Sequence, residues 1–249
     1  MTRKSLYISN LAWENKNFEE VKKLIRSNNF TGIDLAPIKF NSNWKNIILQ
    51  SRKISKKLKK EKIKVNAIQG IYFKKKFNLF KKNNKNIKKI FEHTLKIIQI
   101  CKIFNCKKII IGSSQFRKKG NIKLLKADKI FINFFKKFEK ILKKEKIYFC
   151  LETIPYQYKE DYIFNFNHML RIIKKINNKW IKINFDSSLF HFKKFDKKLL
   201  SRNLKYINNI QVTEKNFNFF ITPSKNNLKF SKQLKSIKKI NNISLEIIS

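Results

Sequence analysis

Eight short runs rich in β-branched and aromatic residues recur along this chain, near residues 5–10, 32–36, 64–69, 108–112, 147–152, 181–186, 207–213 and 243–247. Helix-length polar stretches separate them, at 17–28, 43–62, 86–105, 125–145, 162–177, 195–203 and 227–239. Runs so short and so continuously apolar read as strands buried on both faces, the pattern of parallel strands covered by helices. The stretches between them are amphipathic. In 86–105, Ile87, Ile90, Phe91, Thr94, Leu95, Ile98 and Cys101 share one face, with lysines opposite. Strict alternation over 249 residues predicts an α/β protein, a (β/α)8 barrel in preference to a doubly wound open sheet. The last strand lies close to residue 249, so the final helix is expected to be short or absent. No Pro/Gly-rich linker marks a second domain, and one domain is expected over 1–249.

The formal charge of +43, from 59 basic and 16 acidic residues, points first to nucleic acid or an anionic membrane. The composition argues otherwise. Only six of the basic residues are arginine, at positions 3, 26, 52, 117, 171 and 202, whereas selected nucleic-acid contacts favour the bidentate guanidinium. The lysines are spread over every helical stretch, and Gly (4) and Pro (3) are depleted, as the codons of an AT-rich genome would dictate. Most of the charge therefore reads as solvated helix faces. Binding to polyanions is expected to be weak, indifferent to sequence and abolished at moderate salt, which a filter-binding titration at several salt concentrations checks.

No apolar run reaches membrane-spanning length, and the run after the charged start is too short for a signal-peptide core, so a cytoplasmic protein is expected, with no membrane partner. Cys101, Cys106 and Cys150 form no CxxC pair and read as buried thiols.

Three acids stand at the ends of predicted strands: Glu152 closes Ile147-Tyr-Phe-Cys-Leu, Asp186 closes Ile181-Lys-Ile-Asn-Phe, and Glu246 lies in Ile243-Ser-Leu-Glu-Ile-Ile. Scarce carboxylates placed where buried strands end would meet on the C-terminal rim of a barrel, where they can hold a divalent metal and move protons. Gln211 continues the series, with the four residues at spacings of 34, 25 and 35, about one strand-plus-helix unit each.

At this point the chain resembles the sugar phosphate isomerase/epimerase family, the xylose-isomerase-like TIM barrels, over nearly its whole length. Ile8-Ser-Asn-Leu-Ala-Trp-Glu resembles the family's opening SNxAW segment, Gly32-Ile-Asp-Leu-Ala-Pro its second strand, and Ile68-Gln-Gly-Ile-Tyr-Phe its third. Ile111-Gly-Ser-Ser-Gln-Phe-Arg resembles GSPxxR, Leu151-Glu-Thr-Ile-Pro resembles LEPxP, and Asn184-Phe-Asp-Ser-Ser the LDTG strand. Gln211-Val-Thr-Glu and Ser244-Leu-Glu-Ile resemble the last two strands, H-x-S-E and IEM. The resemblance implies that Glu152, Asp186, Gln211 and Glu246 hold a divalent ion, Mn²⁺ or Mg²⁺, and that Glu152 and Glu246 act as acid and base on either face of a sugar or sugar phosphate. It implies an isomerase or epimerase. Gln211 departs from the family's His, and Asp186-Ser-Ser from Asp-Thr-Gly. A glutamine carbonyl still suits a hard ion, with a weaker site expected. The alternative is a divergent barrel, catalytically weak or inactive, that binds a sugar-like ligand.

Other strand-end residues suggest substrate contacts: Trp13 for stacking, Asn10 and Gln69 for hydroxyls, and Arg117 for a phosphate or carboxylate. His93, His168 and His191 read as surface or packing residues. A zinc-dependent apurinic-site endonuclease would need several histidines at strand ends, which this chain does not supply. The expected partner is a small sugar, with homo-oligomer formation left open.

Overall fold

The computed structural model describes residues 4–41, 43–81, 83–192, 196–218 and 220–248. Eight parallel strands close into a barrel in sequence order: β1 Ser5–Ser9, β2 Gly32–Leu35, β3 Lys64–Ile68, β4 Lys108–Ile111, β5 Tyr148–Glu152, β6 Ile181–Asp186, β7 Ile207–Thr213 and β8 Asn242–Glu246. Each lies within two residues of the run that predicts it. The α-helices between them are α1 Phe18–Ser27, α2 Ile47–Lys60, α3 Asn84–Ile103, α4 Leu124–Lys136, α5 Glu139–Glu145, α6 Phe166–Ile176, α7 Lys197–Arg202 and α8 Lys225–Ser236. Among the described residues no helix follows β8, and no helix is long and apolar enough to cross a membrane.

Four of the helices, α3, α6, α7 and α8, begin at a side-chain cap. Asn83 accepts from the backbone N–H groups of Lys85 and Asn86, Asn165 from that of Asn167, and Ser224 from that of Asn227. With four glycines in the chain, asparagine takes more left-handed positions than any other residue type, at Asn29, Asn46, Asn105, Asn177 and Asn216, because its short polar side chain tolerates that conformation best after glycine. Gly32 is one place where nothing else fits, since a Cβ there would overlap the Lys64 carbonyl across the β2–β3 ladder.

One expected element is corrected. The stretch 125–145 is two helices, not one, because the chain tightens at Lys137–Phe138, whose N–H groups bond three residues back. That turn drives Phe138 fully into the core against Phe91, Phe134 and Phe149. Of the expected helix 195–203, residue 195 lies outside the described residues.

The main apolar core lies between sheet and helices, where Ile33, Leu35, Ile109, Leu151, Ile183 and Phe185 meet helix residues such as Ile97, Phe135, Ile172 and Phe230. The inside of the barrel differs. Ala67, Ile110 and Cys150 make a small apolar patch there, but much of the interior is a hydrogen-bonded set of amides and hydroxyls around Asp34, Asn66, Asn184, Asn209, Gln211 and Ser244. Barrels of this kind are usually filled by layers of branched apolar side chains. All three cysteines are free and buried.

Candidate active site

β5, β6 and β8 end on the same rim and deliver Glu152, Asp186 and Glu246 to one place, with one carboxylate oxygen from each within 4.8 Å of the other two. The registers bring this about: Glu152 pairs with Asn184 across β5–β6, Asp186 with Gln211 across β6–β7, and Thr213 with Glu246 across β7–β8. Gly112, just past β4, makes room, since a Cβ there would overlap the Glu152 carboxylate.

The electrostatics of the trio follow from crowding in a site of low polarity. Burial, then the neighbouring Asp186 charge, push Glu152 up to about 8, against a downward pull from Arg117 and a hydrogen bond from Asn184. Burial, then Glu152, Asp186 and Asp34, hold Glu246 well above the usual carboxylate range. Asp186 is also raised by burial, although the Ser188 N–H at 2.5 Å, the Thr213 hydroxyl at 2.6 Å and the nearby His191 oppose the shift. Three carboxyls that cannot all ionise side by side make a site that gains from a cation. The oxygen spacing fits one ion, because two ligand oxygens at metal distances of about 2.0–2.6 Å lie up to about 5 Å apart. The donor set is hard and suits Mg²⁺ or Mn²⁺.

Gln211 is fully buried beneath this cluster. Its carbonyl accepts from the Asn184 amide, and its own NH₂ donates to the Gln69 carbonyl at 2.9 Å.

Of the other sequence-predicted residues, Asn10, Gln69 and Arg117 spend polar groups on bonds within the protein, while Arg117 Nη2 is buried without a partner. Asn10 clamps the end of β2, donating to the Ala36 carbonyl at 3.3 Å and accepting from the Ala36 N–H at 2.7 Å. Gln69 donates to the Ser9 hydroxyl and accepts from Gln211. Trp13 is packed in the main apolar core.

Arg117 is 1% exposed, and its Nε donates to Glu160 at 2.9 Å while Nη1 donates to the Glu152 backbone carbonyl at 2.7 Å. Glu160 also accepts from the N–H groups of Tyr162 and Ile163, both at 3.1 Å. This strut holds the end of β5 under the catalytic candidate. Arg117→Met or Glu160→Gln leaves the other charge buried and unpaired. Either is expected to cost about 3–5 kcal/mol, measured by chemical denaturation.

Sequence reasoning missed three neighbours of the trio. His191 was expected to be a surface or packing residue. Instead, the 3-10 turn Ser187–Phe190 folds it back beside Asp186, with Nε2 2.7 Å from the Thr213 carbonyl and Nδ1 3.4 Å from the Tyr158 hydroxyl. Asn184 and Thr213 each lie two residues along the strand from a predicted ligand, and this period-two spacing was the one signal that could have found them. His93 and His168 are packing residues: His93 sits edge-on to Trp44 and binds the Ile71 carbonyl, and His168 bonds Asp128.

A closed parallel barrel that gathers carboxylates on its C-terminal rim defines a class of (β/α)8 proteins with a metal-competent mouth. Within that class the chain belongs to the xylose isomerase-like TIM barrel family, whose model matches residues 12–246. No curated protein sequence matches it. Among solved structures it is similar to 3-keto-D-glucoside 4-epimerase from E. coli, with a TM-score of 0.78, 12% identity, and coverage of 99% of this chain and 93% of that one. It is similar to a family 2 AP endonuclease from Brucella melitensis, with a TM-score of 0.76, 12% identity and coverage of 98% and 93%. It is also similar to D-psicose 3-epimerase from Clostridium cellulolyticum H10, with a TM-score of 0.76, 11% identity and coverage of 98% and 85%. At these identities the likeness is one of fold.

Proposed function

We propose that this protein is a sugar or sugar phosphate isomerase or epimerase that uses a divalent ion held by Glu152, Asp186, Glu246 and the Gln211 carbonyl. The observation that carries the reading is the convergence of three carboxylates within 4.8 Å on the rim, in a family whose solved relatives include 3-keto-glucoside and D-psicose epimerases. A bound ion would supply Lewis-acid polarisation of the substrate carbonyl, which acidifies the neighbouring C–H.

Glu152 and Glu246 come from strands on either side of Asp186 and Gln211, and both have raised proton affinity. A carboxyl titrating near neutrality can take a proton as the carboxylate and return it as the acid. Proton return to the opposite face of the same carbon inverts it, as an epimerase does. Return to the adjacent carbon interconverts aldose and ketose. Asp186, tied by Ser188 and Thr213, is fixed in place and suits a ligand better than a proton carrier.

The test is solvent-deuterium incorporation into a panel of ketoses and ketose phosphates with added Mn²⁺, which detects C–H abstraction whatever the product. Exchange is expected for the natural chain. Gln211→His should bind Mn²⁺ or Co²⁺ more tightly, because imidazole is the stronger ligand for these ions. If neither form exchanges any substrate proton, the barrel is a sugar-binding protein that has lost its chemistry.

A further inference from the structure

A single hydrogen-bonded column runs up the inside of the barrel from the N-terminal ends of the strands to the carboxylate rim. At its foot, Lys108, the first residue of β4, donates from Nζ to the carbonyl oxygens of Asn66 at 3.0 Å and Asn209 at 3.2 Å. The Asn209 NH₂ donates to the Asn184 carbonyl at 2.9 Å. The Asn184 NH₂ donates to the Gln211 carbonyl, the Gln211 NH₂ to the Gln69 carbonyl at 2.9 Å, and the Gln69 NH₂ to the Ser9 hydroxyl. Asn184, Asn209, Gln211 and Gln69 are all at most 2% exposed. Asn184 also stands beside Glu152 in the β5–β6 register, where its amide favours the ionised carboxylate.

Every link between the two ends of this column is an amide, and an amide can be turned end for end with little change of shape. The Ser9 end gives no direction, because its hydroxyl can donate or accept, and Glu152 selects the Asn184 NH₂ only while it is ionised. The foot does. An ammonium has three donors and no acceptor, so it admits only the carbonyl end of Asn209. Each amide then accepts through its carbonyl from the preceding group and donates through its NH₂ to the next. Asn66 reinforces the choice: its NH₂ donates to Asp34 at 2.7 Å and to Asn209 at 3.2 Å, while its carbonyl takes Lys108. Asp34 is fully buried with Oδ2 lacking a protein partner, so Lys108 also balances its charge.

We propose that Lys108 is a positioning residue, a donor-only group that orients the interior amide column and so presents an N–H of Asn184, not a carbonyl, to Glu152, and a single amide orientation of Gln211 to the metal site. With the foot removed, Asn209 and Asn184 are free to turn. A turned Asn184 sets its carbonyl oxygen against the Glu152 carboxylate and its amide no longer fixes Gln211. The structural part stands on the hydrogen bonds alone. Its consequence for metal binding rests on the function proposed above.

The experiment follows the side-chain NH₂ groups by ¹⁵N NMR, assigned by single substitution, together with Mn²⁺ affinity by titration. In the natural protein Asn184, Asn209, Gln211 and Gln69 are each expected to give one NH₂ pair; two sets for Asn184 and Gln211 would overturn the proposal without any variant. Lys108→Met with Asp34→Asn removes the donor-only foot and its counter-charge together, so no lone charge is left buried. In that variant the Asn184 and Gln211 signals should move or double, and Mn²⁺ affinity should fall about tenfold, the low end for groups that orient ligands from outside. Lys108→Arg, still donor-only, should keep one set of signals. Lys64→Met, at the same mouth of the barrel, is the control. Unchanged Asn184 and Gln211 signals in the double variant would sink the positioning role. Displaced signals with no Mn²⁺ binding in any form, the natural chain included, would leave the positioning role standing and overturn the metal reading.

Discussion

Replacing Glu152 or Glu246 with glutamine is expected to slow solvent-deuterium exchange into the substrate by at least the ~10²–10⁴ typical of a lost general acid or base. Glutamine keeps the shape and loses both the proton-carrying group and a negative ligand, so Mn²⁺ affinity should fall in the same variants. The two effects separate at saturating metal. If Glu152 moves protons, the rate stays low however much Mn²⁺ is added. If it only holds the ion, saturation restores the rate. Asp186→Asn supplies the contrast, since Asp186 is anchored by Ser188 and Thr213; its loss should be repaired largely by added metal. Full exchange in Glu152→Gln and Glu246→Gln alike would remove both glutamates from the chemistry.

Divalent-metal affinity is expected to rise about 50-fold between pH 6 and pH 8. The cause is the raised proton affinity of Glu152, which burial and the Asp186 charge push up to about 8. A ligand carboxyl must release its proton to bind, so each unit of pH below that value costs about tenfold in apparent affinity for one proton displaced. Mn²⁺ titrations at three pH values measure the slope, and calorimetry in buffers of different ionisation enthalpy counts the protons. The metal-free protein carries the same signature with a definite sign. Glu152 binds its proton more tightly folded than unfolded, where about 4.3 is ordinary. Its contribution to stability is therefore full below the ordinary carboxylate range and is lost as the pH rises through about 8. Glu152→Gln should flatten that part of the Tm profile, and saturating metal should remove it. A metal affinity independent of pH between 6 and 8 would show that Glu152 is not a ligand.

Much of this architecture is legible in the sequence because periodicity is a local property. Strands such as Lys108–Ile111 and Tyr148–Glu152 are nearly continuous apolar runs because both of their faces are meant to be covered, and the helices between them repeat apolar residues at helical spacing. Acids at the ends of those runs, one strand-plus-helix unit apart, must share a rim once the barrel closes. Glu152, Asp186 and Glu246 were therefore within reach of spacing alone, and eight motif fragments in order carried the family resemblance.

What the sequence could not supply is what stands opposite each residue. Arg117 looked free to take a phosphate, and only the folded β5 loop shows that Glu160, 43 residues on, holds it. His191 looked remote until a short 3-10 turn brought it beside Asp186. Gln211 read as a substitute ligand, yet its amide also belongs to a column whose contacts span separations of 25, 27, 101 and 142 residues. Such contacts depend on strand register and barrel closure, which decide which interior residue of one strand meets which of another. Along any single strand, Asn184, Asn209 and Lys108 are merely polar residues in apolar runs. Sequence determined where strands end and which acids gather there; tertiary structure alone decided which way the amides beneath them face, because that orientation is set by a donor at the far end of a closed barrel.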